Sequence, residues 1–307
     1  GSVVNLHRVS QRPALLARLN DQSAEPLAFY ESAADGSVHH FSIPVRADRL
    51  VDGENRIHVV GPDGQPLGSY PIQVGVATLG DARRTRFLYR SESLAGDAVA
   101  VSGVLLVPTG DAPDGGWPIV SWGHGTSGVA DVCAPSLTDN LFYNEYAQEA
   151  RSYLQAGYAV VATDYVGLAT PGLHSYLVGV DEGNAMVDAV SAARDIEDEL
   201  SARWFAVGHS EGGQAAMFAT RSAARAPDLE LAGSVVMAPA SGLELSLPAI
   251  VGGSAPADLA YGVYVLAGLS TVDPSVDPET LLGPAGKDLA DVLLRDCCLL
   301  DALPTMQ

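Results

Sequence analysis

Four short, largely apolar runs constrain the fold of this 307-residue chain more than any other feature. Their apolar residues are continuous rather than alternating, which indicates strands that are buried on both faces. Strands of this kind form parallel sheets covered by helices. The four runs are Pro118–Trp122, Ala159–Ala162, Trp204–Val207 and Ser234–Ala238.

Helical patterns alternate with these runs and complete the prediction of an α/β fold. One pattern starts at Asp181, a potential N-cap, and places Ala189, Ala193 and Ile196 on one face before ending near Leu200. Two further helices are predicted over Asn140–Leu154 and Gly212–Ala224, and two earlier strands over Thr85–Arg90 and Val99–Val107.

The chain divides into two predicted regions. Between Leu27 and Val74, short alternating runs are separated by Asp-Gly turn signals, which predicts antiparallel hairpins, as in part of a β-sandwich. We therefore assign residues 1–75 to a small β-rich region and residues 76–307 to the α/β domain. We interpret His39, His40 and His58 as residues on strand faces rather than metal ligands.

An apolar segment rich in glycine and alanine, Leu247–Leu269, has no clear strand pattern. Such a segment is typical of helices that form a cap or lid over a pocket. We place this cap at about residues 242–282. Its apolar character predicts room for an acyl chain.

The acidic surplus argues against two classes of partner. The chain has 37 Asp and Glu residues against 17 Lys and Arg residues, a net charge of −20. This charge repels the phosphates of nucleic acids and anionic membrane surfaces. Every apolar run is also far shorter than the ~18 residues of a membrane-spanning helix, so no transmembrane anchoring is predicted.

The strongest chemical signal is the segment Gly208-His209-Ser210-Glu211-Gly212. A predicted strand enters it and a helix rich in small residues leaves it, so the backbone must turn within about two residues. This turn, a nucleophile elbow, lifts the Ser210 hydroxyl out of the sheet. Gly208 and Gly212 allow the close backbone approach that the turn needs. We predict that Ser210 is a nucleophile.

An acyl-transferring serine also needs donors for an oxyanion. One predicted donor is the main-chain N–H of Glu211, at the start of the helix. The second is expected from the glycine-containing loop after an earlier strand, in the amides of Gly125 and Thr126. His124 in this loop is interpreted as a loop residue rather than a general base.

The three cysteines, Cys133, Cys297 and Cys298, lack the spacing of a zinc site, and no metal or cofactor is predicted. A disulfide between Cys133 and one of the late pair would indicate an oxidising compartment. Three reduced, mostly buried thiols are the alternative.

Taken together, several motifs resemble the secretory lipases and esterases of the lipase A type, within the α/β-hydrolases. The resemblance covers roughly residues 77–298 and rests on Gly123–Thr126, Cys133–Ser136, Ala162–Leu168, Thr170–His174, Gly208–Gly213 and Ala238–Ala240. It implies a secreted or periplasmic carboxylic-ester hydrolase with Ser210 as nucleophile and a helical cap after Ala240. It also implies a disulfide from Cys133 to the Cys297/Cys298 region.

One departure from this family stands out. The triad of the α/β-hydrolases follows the order serine, acid, histidine, but all seven histidines of this chain precede Ser210. The last one or two parallel strands of the fold also have no counterpart, which would leave Ser234–Ala238 at an exposed sheet edge. We expect the sequence to be a fragment lacking a C-terminal segment. The alternatives are a second chain or swapped protomer that supplies the triad Asp and His, and a catalytically dead hydrolase.

Three functional hypotheses follow. The first is a lipase or esterase acting on a small-molecule or lipid ester through an acyl-enzyme. The second is an acyltransferase on the same fold, which no motif separates from a hydrolase. The third is a binding protein in which residues 1–75 recognise a glycan or a partner. His174 is the one candidate for a base within the chain, although the resemblance implies a pocket-wall or structural role for it.

Overall fold

A computed structural model describes residue 79, residues 82–242, 256–278, 284–295 and 297–299, and the strands between residues 16 and 74. The chain separates into two compact units, Gly1–Val76 and Ala77–Gln307. We propose residues 1–75 and 76–307 as the corresponding domains.

The first unit contains short strands that pair in antiparallel fashion. They form a four-stranded sheet of order β2-β1-β5-β6 and a two-stranded sheet, β3-β4. The side chains of His39, His40 and His58 lie outside the described residues. The strands are β1 (Leu16–Leu19), β2 (Glu25–Pro26), β3 (Phe29–Ser32), β4 (Val38–Ser42), β5 (Gly53–Val60) and β6 (Pro66–Val74).

The second unit is built on a six-stranded mixed sheet of order β12-β11-β9-β10-β8-β7. The four strands predicted from apolar runs pair in parallel, and the two earlier strands pair antiparallel at one side. The strands are β7 (Arg83–Glu92), β8 (Ala98–Val107), β9 (Trp117–Gly123), β10 (Ala159–Val166), β11 (Leu200–His209) and β12 (Glu230–Met237). The predicted α/β class is confirmed.

Helices cover both faces of this sheet, as the continuous apolar strands require. These helices are α1 (Asn144–Gln155), α2 (Gly179–Ile196) and α3 (Glu211–Ser222), and two further helices, α4 (Pro256–Ser270) and α5 (Pro284–Arg295), pack against each other. Ile119 and Val161 pack in one core cluster with residues of α2 and α3, such as Met186. Val120 and Val160 belong to the cluster on the other face, with residues of α1. Side chains of successive strand residues point to opposite faces, so each strand contributes to both clusters.

The bounds of two predicted helices were wrong. Leu200 is the first residue of β11, because the backbone turns extended at Glu197, where α2 ends. Asp181 does not cap α2, since Val178 is the N-cap and the Asp181 carboxylate accepts the main-chain N–H of Leu94 at 2.6 Å. Helix α1 begins after Leu141 and Phe142, both of which have positive φ angles.

The strand predicted over Ser234–Ala238 is less buried than its sequence suggests. Strand β12 lies at the edge of the described sheet, and Val235 on it is 50% exposed. Burial on both faces was therefore the wrong expectation here, whereas an exposed apolar edge was correct.

The predicted cap corresponds in part to α4, since residues 243–255 and 279–283 lie outside the described residues. Helix α4 packs in a cluster with Tyr176, Leu293 of α5 and Cys297. No helix in the described part of the chain is long and apolar enough to cross a membrane.

One disulfide ties this region to the sheet domain. It joins Cys133 to Cys298, whose Cα atoms lie 5.5 Å apart. Cys297 is buried outside this bond. The expectation of a disulfide is thus confirmed, with Cys298 as the partner.

Candidate active site

Ser210 occupies a strained turn between β11 and α3. Its φ and ψ angles are 59° and −118°, a backbone conformation that side-chain-bearing residues rarely adopt. The turn is clamped by its neighbours: the Ser210 N–H donates to Met237 O at 3.0 Å, and the Ser210 carbonyl accepts the N–H groups of Gln214 and Ala240. Strain of this kind costs about 1–3 kcal/mol and persists only where the surroundings enforce it.

The predicted glycines lie where the elbow presses against the sheet. A Cβ on Gly208 would overlap the carbonyl of Gly212, and a Cβ on Gly212 would overlap the carbonyl of Gly123. A Cβ on Gly213 would lie 2.7 Å from Met237 O. All these clashes are with main-chain atoms, which cannot move away as a flexible side chain could.

Gly212→Ala is expected to destabilise the second unit by at least about 2 kcal/mol, because the new methyl group overpacks the contact between the elbow and β9. The matched control is Gly233→Ala on β12, where a Cβ would meet only Phe205 Cδ1 at 3.8 Å. Thermal unfolding measures both. Equal stability of the two variants would contradict this account of the elbow.

Two of the three predicted oxyanion donors have free amides. The described residues supply no hydrogen-bond acceptor for the main-chain N–H of Thr126 or of Glu211. The N–H of Gly125 instead donates to the hydroxyl of Tyr146 at 3.0 Å. Gly125 could bind an oxyanion directly only by giving up this bond. The loop is close to the nucleophile, since a Cβ on Gly125 would lie 3.4 Å from Ser210 Cβ.

Ser210 and this loop line one pocket of about 450 Å³. Aromatic side chains make up much of its wall, and one of them, Tyr261, comes from α4 of the predicted cap. Leu299, next to the disulfide, also lines it and donates its N–H to Ser127 O at 2.8 Å. The other lining residues are Gly125, Thr126, Tyr143, Tyr146, Glu149, His209 and Met237.

No described histidine is hydrogen-bonded to the Ser210 hydroxyl. His124 is fully buried, and its Nδ1 lies 2.8 Å from Gly125 O. His174 is fully buried and faces Glu211. His209 lines the pocket, but its ring has no hydrogen bond among the described residues.

His174 belongs to a buried network behind the elbow. Its Nδ1 lies 2.8 Å from the carbonyl oxygen of Val166, so Nδ1 carries a proton, because a carbonyl only accepts. Its Nε2 lies 3.0 Å from Glu211 Oε1. A second proton must lie between Nε2 and this carboxylate, since two acceptors cannot form a hydrogen bond. Both ring nitrogens of His174 are therefore engaged within the protein, and neither is hydrogen-bonded to Ser210.

Glu182 adds a second buried carboxyl group to the network. Its Oε1 accepts the N–H of Leu177 at 2.9 Å, while Oε2 of Glu182 and Oε2 of Glu211 have no hydrogen-bond partner in the described structure. Burial first, and then repulsion by Glu211, raise the pKa of Glu182 well above its ordinary value of 4.5. Ligand atoms of His174, Glu182 and Glu211 lie within 4.8 Å of one another, a spacing that could also hold a metal ion.

Glu182→Gln is expected to raise the melting temperature at pH 8 by about 5 °C or more and to change it little at pH 4. At pH 4 the folded protein and most of the unfolded chains keep the Glu182 proton, because the ordinary pKa of the group is 4.5. As the pH rises, the unfolded chain loses it first, so folding stability falls by about 1.4 kcal/mol per pH unit up to the raised folded pKa. Glutamine cannot ionise, so the variant does not lose folding stability in this way as the pH rises.

Melting curves from pH 4 to pH 9 test this, with the exposed Asp198→Asn as control for the removal of one charge. A Glu182→Gln variant whose difference from the parent protein is the same at every pH would contradict it.

Sequence reasoning missed the aromatic residues of the site. Tyr143, Tyr146 and Tyr261 carry no motif, and their places in the pocket depend on α1 and α4 packing beside the elbow. Asp164 lies within the motif Ala162–Leu168, which gives no sign of its contacts. It is fully buried and accepts hydrogen bonds from Ser102 and Ser136.

The parallel strands, the flanking helices and the elbow at the carboxyl end of β11 define the α/β-hydrolase fold. Within that class, residues 148–282 match the model of the secretory lipase family. This confirms the resemblance seen in the sequence motifs.

Solved structures of lipases and esterases share this fold. The rice cell wall degrading esterase LipA from Xanthomonas oryzae aligns with a TM-score of 0.62 at 23% identity, over 73% of this chain and 62% of its own. Candida antarctica lipase A aligns with a TM-score of 0.58 at 20% identity, over 76% of this chain and 58% of its own.

A putative hydrolase from Legionella pneumophila has a TM-score of 0.58 at 24% identity, over 72% of this chain and 58% of its own. The chain therefore spans about three fifths of the length of these structures. No curated protein matches it.

Proposed function

We propose that the protein is a secreted serine carboxylic-ester hydrolase that acts through an acyl-enzyme on Ser210. The observation that carries this proposal is the strained Ser210 turn, which opens into a pocket beside the amides of Thr126 and Glu211. The secretory lipase match and the esterase and lipase neighbours support the same reaction class. The disulfide is consistent with an oxidising compartment outside the cytoplasm.

In the first half of the reaction, Ser210 Oγ attacks the ester carbonyl carbon and loses its proton to a general base. The carbonyl oxygen becomes an oxyanion that accepts hydrogen bonds from the two amides. When the tetrahedral intermediate collapses, the alcohol leaves with the proton from the base, and the acyl group stays on Ser210. In the second half, water attacks the acyl-enzyme by the same steps and releases the acid.

We propose that the base and its carboxylate partner come from outside the described residues, in a C-terminal segment or a second chain. Two observations support this. None of the described histidines is hydrogen-bonded to Ser210 Oγ. Strand β12, which neighbours the strand carrying the elbow, presents a half-exposed apolar edge where further strands could pair.

The pocket favours an ester with an apolar acyl group. Its wall includes the rings of Tyr143, Tyr146 and Tyr261 and the side chains of Met237 and Leu299. Such a surface binds hydrocarbon by excluding water, and carries few polar groups that would recognise a charged substrate.

Nitrophenyl esters from acetate to palmitate, incubated with the natural protein, test the proposal. Release of nitrophenol with a preference for one range of acyl length supports it. Parallel reactions with an added alcohol separate hydrolysis from acyl transfer, because a transferase would form a new ester. If the protein cleaves none of the esters in the series, the proposal is wrong.

A further inference from the structure

The hydroxyl of Tyr146 lies close to the nucleophile, since a Cβ on Gly125 would contact both this hydroxyl and Ser210 Cβ. It accepts the N–H of Gly125 at 3.0 Å, which uses a lone pair of the oxygen and leaves the phenolic proton available. The described residues supply no acceptor for that proton. Tyr146 lines the same pocket as Ser210 and Thr126. A donor without an acceptor, beside a nucleophile, is prepared for an acceptor that arrives with the substrate.

The Tyr146 ring is fixed before any substrate binds. It packs edge-on against Trp122, with centroids 4.6 Å apart, and against Tyr143, with centroids 4.8 Å apart. Trp122 is fully buried in β9, just before the oxyanion loop, which is Gly123–Thr126. A donor held in this way needs no reorganisation when negative charge develops, which is the condition for efficient transition-state stabilisation.

The phenol also keeps its proton in neutral solution. Burial, the largest contribution, raises the pKa of Tyr146 to about 12. Repulsion by Glu211, Glu149 and Tyr261 acts in the same direction, and the hydrogen bond from Gly125 opposes it. Tyr146 lies in the first turn of α1, where the helix dipole favours negative charge nearby.

We propose that Tyr146 is a catalytic residue whose hydroxyl donates a hydrogen bond to the oxyanion, beside the amides of Thr126 and Glu211. Gly125, predicted from the sequence as a direct donor, acts behind it: its N–H polarises the tyrosine oxygen and makes the O–H a stronger donor. The inference rests on the proposed acyl-enzyme reaction and specifies which groups stabilise its intermediates.

A second tyrosine of the pocket provides the contrast. The Tyr143 hydroxyl donates to the carbonyl of Thr126 at 2.9 Å, so its proton is already used within the protein. Tyr143 and Tyr146 lie on the same stretch of chain and line the same pocket. Comparing the loss of the Tyr146 hydroxyl with the loss of the Tyr143 hydroxyl therefore separates the donor role of Tyr146 from the general effect of removing a polar atom from the pocket.

The experiment compares Tyr146→Phe with Tyr143→Phe in steady-state ester hydrolysis by the natural protein. Tyr146→Phe is expected to lower kcat about 100-fold with KM changed less than about threefold, as for the loss of one oxyanion donor. Affinity for an alkylboronic acid, which forms a tetrahedral adduct on serine, is expected to fall with it. Tyr143→Phe should lower kcat clearly less than Tyr146→Phe does. Tyr158→Phe, at a ring that packs against Phe205 and does not line the pocket, is the control that should keep the kcat of the parent protein. Equal kcat values for Tyr146→Phe and the parent protein would overturn the proposal.

Site-specific 3-fluorotyrosine at position 146 provides a measurement that does not remove the side chain. Fluorine makes the phenol more acidic and a stronger donor, so kcat is expected to rise, and an unchanged or lower kcat would contradict the proposal. If the parent protein itself cleaves no ester, the proposed function fails. If it cleaves esters and both changes at Tyr146 have no effect, the function stands and this inference fails.

Discussion

Replacing Ser210 by alanine is expected to lower kcat for ester hydrolysis by about 10⁴-fold or more, because the variant loses the hydroxyl on the elbow that forms the acyl-enzyme. The folding stability of the variant should be close to that of the parent protein. Ser210 Oγ has no hydrogen bond among the described residues, and the main-chain bonds of the turn are kept in the variant. Substrate binding should persist, since the pocket wall is unchanged.

The variant Ser210→Gly separates the effect of losing the hydroxyl on activity from the effect of backbone strain on stability. Glycine adopts the 59° φ angle without the penalty of a Cβ, so this variant should be as inactive as Ser210→Ala but about 1 kcal/mol more stable. Progress curves with a nitrophenyl ester and thermal melts measure the two properties. An alanine variant that keeps more than about one tenth of the parent activity would remove Ser210 from the mechanism.

Loss of the Cys133–Cys298 disulfide is expected to cost about 2–5 kcal/mol of folding stability. The bond spans 165 residues of sequence, so it restricts the unfolded chain strongly. It also fixes Leu299, which lines the pocket and bonds to Ser127 beyond the oxyanion loop. The double variant Cys133→Ser/Cys298→Ser should therefore melt at least about 5 °C lower and lose activity at a lower temperature.

Cys297→Ala is the matched control, because it removes the neighbouring buried thiol and leaves the disulfide intact. It should shift the melting temperature less than the double variant does. Treating the parent protein with a reductant should reproduce the double variant. Identical melting with and without reductant, with reduction verified by thiol counting, would show that the bond does not stabilise the fold.

The local geometry around Ser210 could be predicted from sequence because glycine limits it. At Gly208 and Gly212 any Cβ would overlap main-chain atoms. Their spacing around the serine therefore predicts the tight turn. The parallel strands could be predicted for a similar reason, since burial on both faces requires continuous apolar runs, as in β10.

Features that depend on contacts between distant segments could not be predicted. Tyr146 meets Gly125 only after α1 folds back onto the loop following β9, and no local pattern marks that contact. The pairing of His174 with Glu211 joins residues 37 positions apart. The apolar spacing of the helical pattern extends the predicted helix to near Leu200, but the backbone is extended at Glu197 and Leu200 begins β11.

The central claim is that Ser210 is the nucleophile, and covalent labelling by a fluorophosphonate tests it most directly. Attack by Ser210 Oγ on phosphorus forms an O–P bond and expels fluoride, and the product is stable enough for peptide mapping by mass spectrometry. In the natural protein we predict one adduct per chain, on the peptide containing Ser210, and none in Ser210→Ala. An unlabelled parent protein, or an adduct on any other residue, would contradict the account.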